Sequence, residues 1–421
     1  MTVLQPGVRR REVWAWAMFD FANSGYTTVV ITAIFNAYFV SVVAGNAVWA
    51  TFVWTAALSA SYALILVTAP LIGAHADLYG KKRLLLATTA GCVLATAALA
   101  LAGPGALALA LVLLVVSNFC FGSGENLIAA FLPELAREEA LGRVSGWGWG
   151  LGYLGGLASL GACLAIVAWA EGRGMGATAF VPLCLLATTL LFAVAAAPTF
   201  LLLRERRIVV PMPEGAWQRV RTTLQHLNRY PDMRRFMLCI VFYQAGIQAV
   251  IALAAIYAEQ AMGFGTRETI GLIFVVNVTA AFGALGFGHM QDRVGHVRAL
   301  AATLVGWIVM ILLAWAAEGP GLFWTAANVA GLCLGASQSA GRALAGALAP
   351  AARRGEFFGL WGLAVKLSAI LGPLTYGAVS WLTAGDHRLA ILVTGGYFVI
   401  GLAILAGVDA ERGRRAASAD F

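Results

Sequence analysis

The sequence predicts an all-α membrane protein: twelve transmembrane helices in two pseudo-symmetric six-helix bundles. Three observations carry this. Hydrophobic residues make up 61% of the chain and charged residues 11%, against a charged share of about 25% in soluble domains. Apolar runs of about 20 residues, enough to cross a bilayer as a helix, recur along the whole length. A spacing also occurs twice: Gly73-x3-Asp77-x2-Gly80-x2-Arg83 returns 215 positions later as Gly288-x3-Asp292-x2-Gly295-x2-Arg298. Each copy lies between two apolar runs, as a charged hinge between membrane helices, and a duplicated bundle of this kind points to a transporter.

Taken in order, the first span falls near 14–43. Arg9, Arg10 and Arg11 lead into it, and its length exceeds a signal-peptide core, so no cleaved leader is expected. Spans near 49–73, 84–103, 105–130, 145–170 and 178–202 complete a first half, residues 1–203. Residues 204–235 form a linker with eight arginines against three acids. Within it Trp217, Val220, Leu224 and Leu227 recur at helical spacing, with Arg219, Arg221 and Arg229 nearby, as in a helix lying on an anionic leaflet. The second half, 236–409, holds spans near 236–260, 268–290, 299–317, 321–347, 357–383 and 388–408, and a tail, 410–421, follows. Gly103-Pro104-Gly105 and Gly319-Pro320-Gly321 mark equivalent turns in the two halves. Strands are excluded because an apolar run of this length must satisfy its backbone internally.

Lysine and arginine fix the expected orientation. Arg9 to Arg11, Lys81, Lys82, Arg83, Arg137, Arg143, Arg293, Arg298, Arg353, Arg354, Arg412, Arg414 and Arg415 share one side; Arg173, Arg267 and Arg388 share the other. Both termini are therefore expected in the cytoplasm of a cell whose plasma (bacterial inner) membrane holds the chain. The net charge of +8 is a consequence of this topology, and no nucleic-acid partner is expected. The six cysteines, Cys92, Cys120, Cys163, Cys184, Cys239 and Cys333, all fall inside apolar spans without paired spacing and read as packing residues. The histidines show no ligand spacing either; His75 and His289 belong to the hinges. No metal and no cofactor are expected.

The two hinges resemble the loop signature of the major facilitator superfamily, which lies between helices two and three and between eight and nine. More specific stretches are similar to its vacuole-effluxer-like (autophagy-related permease) branch: Trp16 to Tyr26 with Asp20, Asn23 and Ser24; Ala130 to Glu134; Gly152 to Gly156; Ala349-Pro350 followed by Gly355 to Gly359; then Lys366 and Gly372-Pro373. The resemblance covers nearly the whole chain and implies the major facilitator fold, a central cavity and alternating access. Some fungal members are linked to release of amino acids from the vacuole, while bacterial members are diverse. Val297 departs from the basic run usual in the second hinge.

Ionisable groups inside membrane spans are costly and so are candidates for function. Asp20 lies roughly 10 Å into helix one at a 1.5 Å rise per residue, and Glu125 is at a similar depth in helix four. Arg342 in helix ten and Lys366 in helix eleven supply two bases. The acids are expected to carry coupled protons and the bases to hold cargo, facing one another across the cavity, although structural ion pairs would use the same residues. Asn23 belongs to the break around Ser24 and Gly25. Asn126, Gln244, Gln248 and Gln338 extend the polar path; Gln244 and Gln248, like Gln338 and Arg342, are one turn apart and share a face. Gly73, Asp77, Gly80, Arg83, Gly288, Asp292, Gly295 and Arg298 form the expected gates, the two carboxylates sitting just beyond their helices to latch them. The helix-five glycines, from Gly146 to Gly156 with Trp147 and Trp149 interleaved, follow no strand and read as a close helix contact, not a dinucleotide loop.

The expected function is secondary active transport of a small solute, an amino acid or other zwitterion or anion, coupled to protons, by a monomer in the lipid bilayer. A proton-coupled exporter of hydrophobic or cationic compounds is the alternative within transport; Arg342 and Lys366 argue against a cationic cargo. A receptor or scaffold without transport is a further class. No nucleotide-binding loop is present for direct ATP drive, and no nucleophile, base and metal set supports an enzyme.

Overall fold

A computed structural model describes the backbone of residues 4–129, 131–137, 141–206, 218, 221, 225, 227–349 and 354–418. The architecture is helical; among the described residues the one extended pairing is a bridge between Leu4 and Ala136. Twelve long helices follow in order: α1 (Arg10–Val43), α2 (Ala50–Tyr79), α3 (Lys81–Leu99), α4 (Leu107–Ala129), α5 (Leu141–Glu171), α6 (Ala177–Leu202), α7 (Pro231–Met262), α8 (Thr266–Val294), α9 (His296–Ala316), α10 (Pro320–Leu348), α11 (Arg354–Leu382) and α12 (His387–Leu405). A docked helix, α13 (Ala410–Ser418), closes the described chain. Among the described residues, eleven of the twelve are long and apolar enough to cross a membrane, by length and composition alone. The exception, α10, carries Asn328, Ser337, Gln338 and Arg342 along its length.

The hinges differ from the loops expected. The α2 helix runs to Tyr79 and α8 to Val294, so Asp77 and Asp292 occupy last helical turns, not the turn beyond. A single residue, Gly80 or Gly295, breaks each helix, with φ of 105° and 89°. Those left-handed values suit glycine, and α3 and α9 begin at the next residue. Arg83 and Arg298 lie in the first turns that follow and are exposed. Asp77, Gly288 and Asp292 are described by backbone alone. Trp217, Arg219, Val220 and Leu224 of the linker lie outside the described residues.

Two compact units emerge. The first comprises residues 1–50, 60–213 and 265–271; the second comprises 51–59, 214–264 and 272–421. In the first, α1 packs against α5 and α6, and α3 against α4. Glycine sets the α1–α5 approach: a Cβ on Gly155 would overlap the Phe21 carbonyl, one on Gly148 the Asp20 carboxylate, and one on Gly152 would press on Ser24 Oγ. Those positions share one face of α5, whereas Trp147 and Trp149 point outward and are half exposed. This is small-residue packing of membrane helices, as the sequence predicts.

In the second unit α7 packs against α11 and α12, and α9 against α10. Gly372 admits the Ala245 carbonyl as Gly155 admits that of Phe21. The repeat extends to single residues: Gly91 receives the sulfur of Cys120, and Gly306, also 215 positions on, receives that of Cys333. All six cysteines are free thiols, consistent with packing roles. The α1 helix is irregular, π-helical over Thr27–Ala33 and again over Phe39–Val43. The first stretch contains six consecutive β-branched residues, Thr27 to Thr32, whose stiff χ1 angles crowd a tight helix. Such widened turns often accompany functional positions.

Candidate functional site

Several predicted polar residues are brought together within the second unit. Gln244 on α7 donates from Nε2 to Gln338 Oε1 on α10 at 3.1 Å. One turn further along α10, the Arg342 guanidinium lies 5.9 Å from the centre of the Trp361 ring on α11, within cation–π range. Gln244 is 1% exposed, and its Oε1 has no hydrogen-bond partner within the protein. Buried acceptors are ordinarily satisfied, so this seam offers an acceptor for a donor supplied from elsewhere. Gln248, one turn from Gln244, and Lys366 on α11 are partly exposed.

In the first unit Asp20 lies on the α1 face that meets Gly148, and its backbone carbonyl accepts from Ser24 Oγ at 3.0 Å. Asn23, 7% exposed, also has an unpartnered Oδ1. Glu125 and Asn126 are sequence neighbours but occupy different faces of α4. Ser123, Asn126 and Leu127, at the i, i+3, i+4 spacing of one face, line a cavity of about 210 Å³ with Ile72 and Gly73 of α2 and Lys81 at the start of α3. Glu125 is absent from that lining.

Next to this cavity is a charge network not assigned from the sequence. Lys81 Nζ donates to Glu134 Oε1 at 2.7 Å, and Glu134 Oε2 accepts from the Arg206 amide at 2.9 Å. Glu205 accepts from the Lys81 and Lys82 amides at 2.6 and 3.4 Å, placing a carboxylate at the N-terminus of α3. In return Lys82 Nζ donates to the Leu203 carbonyl just after α6, at 2.6 Å. Each group meets the helix end of opposite partial charge. Arg206 then reaches Glu12, in the first turn of α1, at 3.1 and 3.0 Å.

The second unit repeats that clasp with different residues. Asp232, in the first turn of α7, accepts from Arg412 Nε and NH2 at 2.7 and 2.6 Å. In both units a buried acid at the start of the first helix binds an arginine just past the sixth. The first-turn acids and the Pro133-Glu134 step were visible in the sequence. Their partners lie 194 and 180 positions away, beyond what local spacing reports.

The comparisons agree with this architecture. Residues 40–418 match the family described as vacuole effluxer Atg22 like. The chain is 27% identical over 406 residues to the uncharacterized MFS-type transporter YxiO of Bacillus subtilis (strain 168), covering 94% of each. It is 23% identical over 316 residues to autophagy-related protein 22-1 of Aspergillus niger, covering 68% of this chain and 50% of that protein. Among solved structures, a bacterial homolog of the human lysosomal transporter Spinster superposes with a TM-score of 0.72 at 14% identity, covering 97% and 99% of the two chains. The nucleoside transporter NupG gives 0.69 at 14% identity, covering 94% and 98%. At such identities the two structures speak for the fold, which is that of the major facilitator superfamily. The chain belongs to the Atg22-like vacuole effluxer family within that superfamily.

Proposed function

We propose that the chain is a secondary active transporter for a small zwitterion or organic anion, coupled to protons and working by alternating access as a monomer. The observation that carries this reading is the Gln244–Gln338 seam, with its unpartnered buried acceptor and Arg342 one turn away, inside a major facilitator fold. An ammonium or amide group of the cargo would complete Gln244 Oε1, while Arg342 and Lys366 would hold its anionic end. Gln248, in the same unit, supplies a further polar contact. Glu125, with Asp20 as second acid, takes up the coupling proton in this reading, because an ionisable group is costly to keep inside a membrane span and so marks function.

The hinge residues, from Gly73 to Arg83 and from Gly288 to Arg298, serve as gates on the cytoplasmic side, where both termini lie. Positive-inside charge supports that orientation, and a bacterial inner membrane is the setting proposed. Amino acids fit the paired acceptor and cations best among cargo classes.

The test begins with a thermal-shift screen of purified protein against amino acids, organic acids, sugars and nucleosides. The solute found is then followed into proteoliposomes. Glu125→Gln should abolish uptake driven by a pH gradient while sparing exchange of internal for external solute. Undiminished gradient-driven uptake in that variant would remove Glu125 from the coupling step.

A further inference from the structure

We propose that Glu259, at the far end of α7 from Asp232, is a further proton-binding group, placed to exchange protons with the outer side. Its purpose rests on the transport reading and the orientation proposed with it; its proton binding is testable with neither solute nor flux. Glu259 lies in the last turn of α7, which ends at Met262 and is capped by Gly263 at a φ of 70°. The Gly263 amide donates to the Glu259 carbonyl at 3.2 Å, and the Phe264 amide to that of Ala258 at 3.0 Å. The helix thus closes with its negative end at the turn that holds the carboxylate. No basic residue lies in that turn. The side chain is half-buried, and among the described residues its carboxylate has no hydrogen bond or ion pair. At 3.6 residues per turn Glu259 falls within about 20° of Gln248, about three turns and 16 Å along the same face.

The charged and titratable groups at this end are engaged with other partners or exposed. The α7 helix packs against α10, α11 and α12. At the start of α12, Arg388 donates to the Ala317 carbonyl at 2.6 Å and Asp386 accepts from the Leu389 amide at 2.8 Å. His387 Nδ1 pairs with Tyr376 Oη of α11 at 3.0 Å. Tyr257, on α7 itself, donates to the Ala314 carbonyl at 2.7 Å. Glu318, ahead of α10, and Arg267 and Glu268, at the start of α8, are exposed. An ionised carboxylate kept inside a membrane span is costly, and the negative end of the helix adds to that cost. A bound proton removes both. A metal ion fits less well, because hard cations take about six oxygens and the described residues hold no group of three His, Cys, Asp or Glu side chains.

Dicyclohexylcarbodiimide, a lipid-soluble reagent, reports the proton. It reacts with a carboxylic acid and not with a carboxylate. The acid proton passes to a carbodiimide nitrogen as the carboxyl oxygen bonds to the central carbon, and the adduct rearranges to a stable N-acylurea. Purified full-length protein in detergent is treated near neutral pH, and modification is read at single glutamates by peptide mass spectrometry. Glu259 should react about tenfold faster than exposed Glu268 and Glu318, and its rate should fall as pH rises. Replacing choline chloride with sodium chloride at constant ionic strength should leave that rate unchanged. Glu259→Gln should leave the melting temperature unchanged or raised, since no partner is lost. A Glu259 rate no higher than those of Glu268 and Glu318, or one independent of pH, would overturn the proposal. Protection by sodium would overturn it in favour of a metal cation, and a lowered melting temperature would make Glu259 a structural residue. If the variant fails to fold, the labelling of wild type decides alone. These readouts use no solute, so their failure would leave the transport reading standing, and failure of solute flux would leave them untouched.

Discussion

Gly155 accepts no side chain because the group it would strike, the Phe21 carbonyl, is backbone and cannot rotate away. Gly155→Ala should therefore cost about 1–3 kcal/mol, read as a lower melting temperature of the purified protein. Gly150→Ala, on the same helix but facing open space, should leave the melting temperature unchanged or slightly raised. This contact was legible in the sequence, because glycines at helical spacing inside an apolar run have few other uses. The Gln244–Gln338 pair was legible only as two polar residues on separate helices; which helices meet is set by tertiary packing. Ser123 was not legible, since a serine in a membrane helix ordinarily bonds its own backbone and only the cavity shows that this one does not. For the proposed cargo contacts, Arg342→Lys should weaken solute binding by tenfold or more, because the planar donor fork is lost while the charge stays. Lys366→Ala should weaken it with little change in melting temperature. Wild-type affinity in both variants would make them structural ions.

At the scale of elements, α13 is a brace. Asp409 caps it, accepting from the Glu411 and Arg412 amides at 2.9 and 3.0 Å, and the Asp409 amide donates to Asp232 at 3.0 Å. Gly413 lets the helix approach Leu348 of α10. Arg412→Ala leaves Asp232, 1% exposed, without its bidentate partner and should loosen the brace, because a buried carboxylate stripped of its donors is costly. Faster hydrogen exchange across α13 and the start of α7 would report it. The cap is also pH-sensitive. The backbone amide of Arg412, then that of Glu411, holds the Asp409 carboxyl below the usual carboxylate range. A depressed folded pKa means that the cap's contribution is complete above the unfolded value of about 3.9 and fades as pH falls through the folded one. Exchange at Glu411 and Arg412 should rise only in that acid range; protection that faded near neutrality would point to another group. Sequence reading treated 410–421 as a tail, because so short and polar a stretch shows no apolar stripe, and the anchor is a charge pair with a residue 180 positions earlier.

Across the whole molecule, duplication was the most legible property. The two hinges and the glycine–cysteine contacts recur, whereas the Gly-Pro-Gly steps recur in sequence only: Pro320 and Gly321 open α10, while Gly103 to Gly105 precede α4. Eleven of the twelve long helices among the described residues follow from length and apolarity. Less legible was the way each hinge is built: one glycine joins two helices whose ends carry the charge, because a chain emerging from a bilayer need not form a loop to turn. The proposed function requires that this family member move a solute by alternating access. Counterflow tests it without assuming any driving ion. Proteoliposomes loaded with the unlabelled solute identified by thermal shift are diluted into a trace of labelled solute, with equal pH and equal salt on both sides. Label should accumulate transiently above equilibrium in wild type, an overshoot retained by Glu125→Gln and lost on combining Arg342→Ala with Lys366→Ala. No accumulation with wild-type protein, for a solute that binds it, would contradict transport and leave a binding protein of the same fold.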